Sequence, residues 1–205
     1  MRVLLLCLFI LLPPQAACAA SFLEKAAALE AAGKMPGLAR DGIVLPRALL
    51  LDELKKKAES KTIDVKDLLL SDGQGTVVLT AHGKVDAEIR VNFEFLSVDW
   101  PNRTVWVRYG EESRAIGDTW LGRIFGSIAI AVFEAASGAD HVAASLEGKS
   151  YYKLEGDRLG ILLDKIPSLT KPLSARAGRF KLFDLIGIRR LRTEKDGIHV
   201  TLGLV

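Results

Sequence analysis

A long alternation of polar and apolar side chains between residues 84 and 95 constrains the fold more than any other feature of the sequence. Six apolar side chains alternate there with six polar ones: Val85, Ala87, Ile89, Val91, Phe93 and Phe95 against Lys84, Asp86, Glu88, Arg90, Asn92 and Glu94. A period of two is typical of a half-buried antiparallel strand. The segment therefore predicts a β-sheet with one face in the core.

This alternation changes phase at Phe95–Leu96, after which Leu96, Val98 and Trp100 are the apolar positions. A β-bulge or a tight bend explains such a change without ending the strand. A straight strand over residues 84–100 would reach roughly 55 Å, whereas a strand usually has about five or six residues. We therefore expect a strongly curved sheet that wraps around another element.

The sequence also predicts the element that this sheet would wrap. Asp118 or Thr119 can cap a helix that runs to about Ser137, with Gly138 after its end. One face of this helix is apolar, and Ile130 and Ala131 extend that face around most of the circumference. Such a helix must be largely covered. The predicted fold class is α+β, a long curved antiparallel sheet around one or two apolar helices.

The remaining segments predict further strands, a second long helix and one long loop. The sequence predicts helices at 22–32, closed by Gly33, and at 46–60, strands at 63–70, 76–82, 103–109, 141–147, 150–154, 158–163, 179–185, 187–194 and 198–204, and a loop at 165–178. Asp196-Gly197 indicates a hairpin turn. We expect residues 21–45 to form a short helix and a linker, and residues 46–205 to form one domain.

Residues 1–20 have the pattern of a signal peptide. Arg2 precedes a run of ten apolar residues, Val3 to Leu12, and small residues permit cleavage after Ala19 or Ala20. A buried N-terminal helix is the alternative, and the prolines at 13 and 14 fit it poorly. Acylation of Cys18 is also disfavoured, because Gln15 stands where lipoprotein signals have leucine. The chain is expected to be exported, to the periplasm or outside the cell.

Removal of this leader would change what the chain can do chemically. Both cysteines, Cys7 and Cys18, would leave with it, so the mature chain would have no disulfide and no thiolate chemistry. The remaining 27 basic and 25 acidic residues nearly balance. So small a surplus argues against a nucleic-acid partner.

No constellation of residues predicts catalysis, a metal site or a cofactor. His82, His141 and His199 each stand alone in a strand-like segment without a second ligand at a typical metal spacing. Ser168 and Lys171 match a Ser-x-x-Lys pair, but the partner motifs of those acyltransferases are absent. We expect a protein that is not an enzyme.

Three basic clusters occur, at residues 55–57, at 176–181 and at Arg189, Arg190 and Arg192. Arginines of this kind can bind the phosphates of lipid head groups at a membrane surface. The alternative is an ordinary solvated surface, which the small net charge favours. The last cluster is the best candidate, because its three arginines fall within four residues.

The order of elements resembles the tubular lipid-binding (TULIP-like) proteins of bacterial envelopes. The resemblance covers about Pro46 to Val205, and its most suggestive stretches are residues 152–163, Lys165-Ile166-Pro167, residues 179–188 and the final hairpin. It is nearest to the small exported branch that includes the mycobacterial mannan-elongation accessory protein. The resemblance implies a half-tube that binds phospholipid without catalytic residues.

These features lead to one leading hypothesis and two alternatives. The leading hypothesis is an exported protein that binds a lipid or other apolar ligand between sheet and helix, with peripheral membrane contact through the arginines. The expected lining residues are Phe93, Phe95, Leu121, Ile124, Phe125, Ile128, Val132 and Phe133. Alternatively these eight residues fill a dry core. In that case a periplasmic scaffold or assembly factor that binds a protein partner is a second hypothesis, and an enzyme a third.

Overall fold

A computed structural model describes residues 27, 28, 30–58, 60–110, 118–137, 151–174, 176–177 and 180–205. The expected signal peptide with Cys18, the strand at 141–147 and His141 lie outside these residues. Residues 27, 28, 30 and 31 are helical and are followed by a turn at Gly33, the predicted end, whose φ of 63° suits a residue without a side chain.

The predicted α+β class is confirmed, since the described residues form a mixed α+β fold with two antiparallel sheets, of four and six strands, and one separate pair of two-residue strands. Its strands are β1 (Gly37–Leu38), β2 (Gly42–Pro46), β3 (Ile63–Ser71), β4 (Gln74–Ala81), β5 (Ala87–Asp99), β6 (Thr104–Tyr109), β7 (Tyr152–Glu155), β8 (Arg158–Leu162), β9 (Arg176–Ala177), β10 (Phe180–Lys181), β11 (Ile186–Glu194) and β12 (Gly197–Leu204). Its helices are α1 (Arg47–Ala58), α2 (Asp118–Ser137), α3 (Pro167–Leu173) and α4 (Leu182–Leu185), with a 3₁₀ turn at Leu163–Lys165.

The larger sheet has six strands in the order β3-β4-β5-β6-β8-β7. Its central strand β5 carries the alternation found in the sequence, and the apolar positions Val91 and Phe93 face the core. The register between β5 and β6 shifts between Phe95 and Ser97, so Leu96 is the extra residue of a bulge. The predicted bulge is confirmed. The strand begins at Ala87 and is shorter than expected, and Val85 and Ala87 are exposed, so they do not face the core as the alternation predicts.

The smaller sheet has four strands in the order β1-β2-β12-β11 and contains a segment that was expected to be a linker. Residues 42–46 pair with residues 197–201 of β12. The strands meet closely, because a side chain at Gly42 would lie 1.8 Å from the Val200 carbonyl oxygen. The composition of residues 34–45 did not show this pairing, which depends on a strand more than 150 residues away.

Helices α1 and α2 pack against each other, and each contacts strands of both sheets. The face of α1 predicted from Leu50, Leu54 and Ala58 is fully buried. Helix α1 begins at Arg47 because Pro46 is the last residue of β2. The Phe125 ring of α2 meets the Phe93 ring of β5 at 5.4 Å between centroids. The helices therefore share one core with the six-stranded sheet.

The expected loop at 165–178 is instead largely helical. Pro167 is the first residue of α3, a position where a missing N–H costs nothing, and Ile166 and Leu169 are buried. The expected strand at 179–185 divides into β10 and α4. Short apolar runs of this kind do not distinguish strand from helix by sequence alone. In the part of the chain that is described, no helix is both long enough and apolar enough to cross a membrane.

Candidate ligand-binding cleft

The structure places seven of the eight expected lining residues in the core. The six from α2, Leu121, Ile124, Phe125, Ile128, Val132 and Phe133, are at most 2% exposed, and Phe93 is 3% exposed. They belong to one continuous hydrophobic cluster. Their packing is that of the dry-core alternative, and their role in ligand binding stays a prediction.

The eighth residue, Phe95, borders an open cleft between the two sheets. This cleft has a volume of about 880 Å³ and lies between residues 94–98 of β5 and residues 189–194 of β11. The turn at Asp72-Gly73 closes one end, where the Gly73 N–H donates a 2.9 Å hydrogen bond to the Thr193 carbonyl. We call this space the arginine cleft, after the side chains of its β11 wall.

The arginine cleft exists because two strand edges meet there without forming a ladder. Strand β4 pairs with β5 only as far as Phe93, so residues 94–99 of β5 pair on one side with β6 alone. Strand β11 is the outer strand of its sheet and lies against β5. Both edges are irregular, since β11 also has a register shift, between Ile188 and Arg190. Bulges bend strands and interrupt pairing, which keeps the two edges apart.

One wall of the arginine cleft is cationic. Arg189, Arg190 and Arg192 are exposed, and none of their side chains has a hydrogen bond or an ion pair to another described residue. Of the three acids in the lining, Glu94 is paired with Arg108 at 3.1 Å, and Glu194 Oε2 lies 3.5 Å from His199 Nε2. Asp72 is the third. None of these carboxylates pairs with any of the three guanidinium groups.

The opposite wall carries the partly buried apolar residues Phe95, Leu96 and Val98 of β5, together with Glu94 and Ser97. The lining also includes Thr193, whose side chain is buried and whose hydroxyl has no hydrogen-bond partner among the described residues. A buried hydroxyl without a partner costs free energy. The arginine cleft can therefore contact both a negative group and an apolar one.

His82 lies outside the cleft and forms two ion pairs on the sheet surface. Its Nε2 lies 2.8 Å from Asp64 Oδ2 and its Nδ1 lies 3.1 Å from Asp86 Oδ1. Both hydrogen bonds raise the pKa of His82, and the bond with Asp64 has the larger effect. They therefore favour the doubly protonated ring. The same bond lowers the pKa of Asp64. Both groups are exposed, so the three side chains form an ion-pair cluster on the surface.

His199 belongs to a cluster that could in principle hold a cation. Ligand atoms of Glu194, Asp196 and His199 lie within 4.8 Å of one another at the β11–β12 turn. The ring nitrogen Nε2 is already 2.9 Å from Asp196 Oδ1, and this hydrogen bond lowers the pKa of Asp196. The arrangement stabilises the turn by itself. The sequence did not show it, because the hairpin brings the three residues together.

Glu53 is the most deeply buried carboxylate of the described residues, and its contacts explain it structurally. Burial raises its pKa, but the Lys57 ammonium at 2.8 Å and Lys56 at 3.3 Å more than offset this, so the pKa is lowered. These residues follow one another along α1, as the i, i+4 spacing predicts. The group is a paired charge at the edge of the core.

The sequence identified part of the arginine cleft and missed the rest. It singled out Arg189, Arg190 and Arg192 and, for another reason, Phe95. It missed Leu96, Val98, Thr193 and the Asp72-Gly73 turn. One signal was present in each strand: the change of phase at Phe95–Leu96, and the two consecutive arginines between Ile188 and Leu191. Each signal marks a bulge, and the two bulges border the same cleft.

In comparisons with known proteins, no family model, curated protein or solved structure matches the chain. The resemblance to the tubular lipid-binding proteins therefore stays a prediction. What the chain binds must be argued from the arginine cleft itself.

Proposed function

We propose that this chain is an exported, non-catalytic binding protein of the cell envelope whose ligand is an anionic amphiphile of the phospholipid class. The observation that carries the proposal is the pairing of walls in the arginine cleft. Three arginines without ion-pair partners among the described residues line the same cleft as partly buried Phe95, Leu96 and Val98. A phosphate with an attached hydrocarbon chain has the matching chemistry.

The physical basis of the head-group contact is the geometry of arginine. A guanidinium group donates two parallel hydrogen bonds to a phosphate and remains charged at all physiological pH values. The volume of about 880 Å³ also lies in the range of small-molecule sites. The cleft is therefore large enough for a head group and part of an acyl chain.

The proposal moves the apolar contacts from α2 to the cleft wall. The original expectation placed acyl chains against α2, where the structure has closely packed side chains. Phe95 is shared by both versions. The finer description of the fold, a strongly curved TULIP-like half-tube, belongs to this proposal and draws support from the Leu96 bulge, since bulges increase strand twist.

Mass spectrometry of the protein purified after export tests the proposal. The intact mass is expected to show cleavage after Ala19 or Ala20, and the native spectrum is expected to show bound phospholipid. Titration with a monomeric short-chain phosphatidic acid then measures affinity. The variant R189Q/R190Q/R192Q is expected to bind at least about tenfold more weakly, because each lost charged hydrogen bond contributes about 1.5–3 kcal/mol.

The matched control is K55Q/K66Q/K84Q, which removes three exposed positive charges outside the lining of the cleft. Its affinity is expected to stay within about twofold of the wild-type value, because distant exposed charges are screened by salt. Equal loss in the two variants would reduce the effect to net charge. Absence of copurified lipid together with no binding of the short-chain lipid would refute the proposal.

A protein-binding scaffold is the second candidate, and the same cleft supplies the observation that favours it. Residues 94–98 of β5 and the free edge of β11 carry no ladder hydrogen bonds on the sides that face each other, within the described residues. Such edges bind extended peptides by adding a strand. This candidate predicts lipid-free protein whose β11 amides become protected from hydrogen exchange when a partner chain binds.

A further inference from the structure

Exposed apolar side chains gather at one end of the β11–β12 pair. Eight large apolar residues are exposed in the described part of the chain, and four of them lie at this end: Leu185, Ile186, Leu204 and Val205. Single exposed apolar residues are common and need no explanation, whereas a contiguous group marks an interaction surface. We call these four residues the apolar tip.

Backbone pairing holds the apolar tip together. Ile186 stands opposite Leu204 in the antiparallel register, and the Val205 N–H donates a 3.0 Å hydrogen bond to the Leu185 carbonyl. Leu204 is 74% exposed and Leu185 45% exposed. Backbone pairing therefore holds the four residues at the end of the β11–β12 pair that lies away from the Asp196-Gly197 turn, and their side chains are exposed to solvent.

Positive charge lies directly beside the apolar tip. The Arg189 side chain covers Gly203, since a Cβ at Gly203 would lie 3.0 Å from Arg189 Cγ. Gly203 is the neighbour of Leu204, and Arg190 stands opposite Thr201 on the same strand pair. Asp184 of α4, next to Leu185, is paired with Arg103 at 2.8 Å, and the Asp41 carboxylate accepts a 3.4 Å hydrogen bond from the Thr201 hydroxyl. Arg189 and Arg190, whose side chains have no ion pair to a described residue, therefore supply positive charge beside the tip.

We infer that the apolar tip is a membrane-docking surface whose partner is an anionic lipid bilayer. Leu185, Ile186 and Leu204 enter the acyl boundary while Arg189 and Arg190 contact head-group phosphates. Apolar insertion and attraction of basic residues to anionic lipid each bind weakly, and the two together give reversible attachment. This inference goes beyond the proposed function, because docking requires the tip and not the occupancy of the cleft.

Co-sedimentation with phospholipid vesicles tests the inference on the protein purified after export. Wild-type protein is expected to bind phosphatidylglycerol-containing vesicles and to bind pure phosphatidylcholine vesicles much less. The variant L185S/L204S is expected to lose about tenfold in partitioning, because two exposed leucines no longer enter the bilayer. The matched control is V85S, which removes an isolated exposed apolar residue at the β4–β5 turn.

Binding by L185S/L204S equal to that of the wild type and of V85S would overturn the inference. Binding of wild-type protein that does not depend on anionic lipid would overturn the role of the arginines. The monomeric short-chain lipid separates this result from the proposed function. If the protein binds the short-chain lipid but not the vesicles, only the docking inference is refuted. If it binds vesicles through the tip but does not bind the short-chain lipid, only the proposed function is refuted.

Discussion

The apolar face of α2 and the arginine cleft are the two regions that the sequence singled out, and the structure treats them in opposite ways. The six residues from α2 pack in the core and are at most 2% exposed. The three arginines of β11 stay exposed and free of ion pairs within the described residues. A helix that is apolar nearly all round therefore indicates a core at least as readily as a ligand groove. Open space arose instead where two bulges prevented strands from pairing.

The largest expected effect comes from shortening a side chain of α2. Phe125→Ala should lower the free energy of unfolding by about 3–5 kcal/mol, because it leaves a cavity against Phe93. Urea unfolding measures the change. Phe95→Ala, on the cleft wall, should cost less because Phe95 is only partly buried. Arg192→Gln should change stability by no more than about 0.5 kcal/mol. Similar losses for Phe125→Ala and Phe95→Ala would remove the distinction between the two regions.

The next largest effect is expected where α2 packs against Tyr152. A Cβ at Gly122 would lie 2.5 Å from the Tyr152 ring, so Gly122→Val should destabilise the protein by about 1–3 kcal/mol through overpacking. Thermal unfolding followed by circular dichroism measures it. The control is Gly83→Val, where the nearest atom would be 3.6 Å away. A neutral Gly122→Val would mean that spare space exists beside α2, as the original ligand hypothesis requires.

Thr193 provides a smaller test on the cleft side. Its buried hydroxyl has no partner among the described residues, so Thr193→Val should stabilise the protein by about 1 kcal/mol. Urea unfolding without ligand and titration with the short-chain lipid are both informative. Higher stability with weaker binding would show that the hydroxyl contacts the ligand. Lower stability would show that the hydroxyl has a partner in the folded protein.

The smallest effect is expected at His82, outside both regions. Because the folded-state pKa of His82 is raised, its contribution is fully present below the unfolded value of about 6.5 and is lost as pH rises through the folded value. The stability difference between wild type and His82→Gln should therefore be larger near pH 5 than near pH 9, where about none should remain. Thermal unfolding at the two pH values measures it. A difference that grows with pH would contradict the Asp64 and Asp86 pairings.

Much of the fold was predictable because it depends on local pattern. The period of two in β5, the phase change at Leu96, the apolar circumference of α2 and the Asp196-Gly197 turn are all confirmed. The predictions of a linker at 34–45 and of a loop at 167–173 were wrong for the same reason. Both segments have a weak hydrophobic pattern, and their structure depends on distant residues. Strand β2 pairs with β12, and α3 packs on the core through Leu169.

The candidate site was likewise only partly predictable from the sequence. The arginines were visible in the sequence as a charge cluster, but their use depends on what faces them. Glu94 lies in the same cleft as the arginines, and the structure pairs it with Arg108 and not with one of them. Ion pairing of this kind depends on side-chain positions, so sequence spacing does not reveal it.

The sequence by itself determined an α+β chain with a bulged central strand, a largely apolar helix and an arginine cluster near its carboxyl end. Side-chain period and turn chemistry suffice for these features, because they act between near neighbours. Only the tertiary structure decided that the helix fills the core and that the arginines border an open cleft. That decision depends on which strand edges meet, and edges separated by about 95 residues are brought together by packing alone.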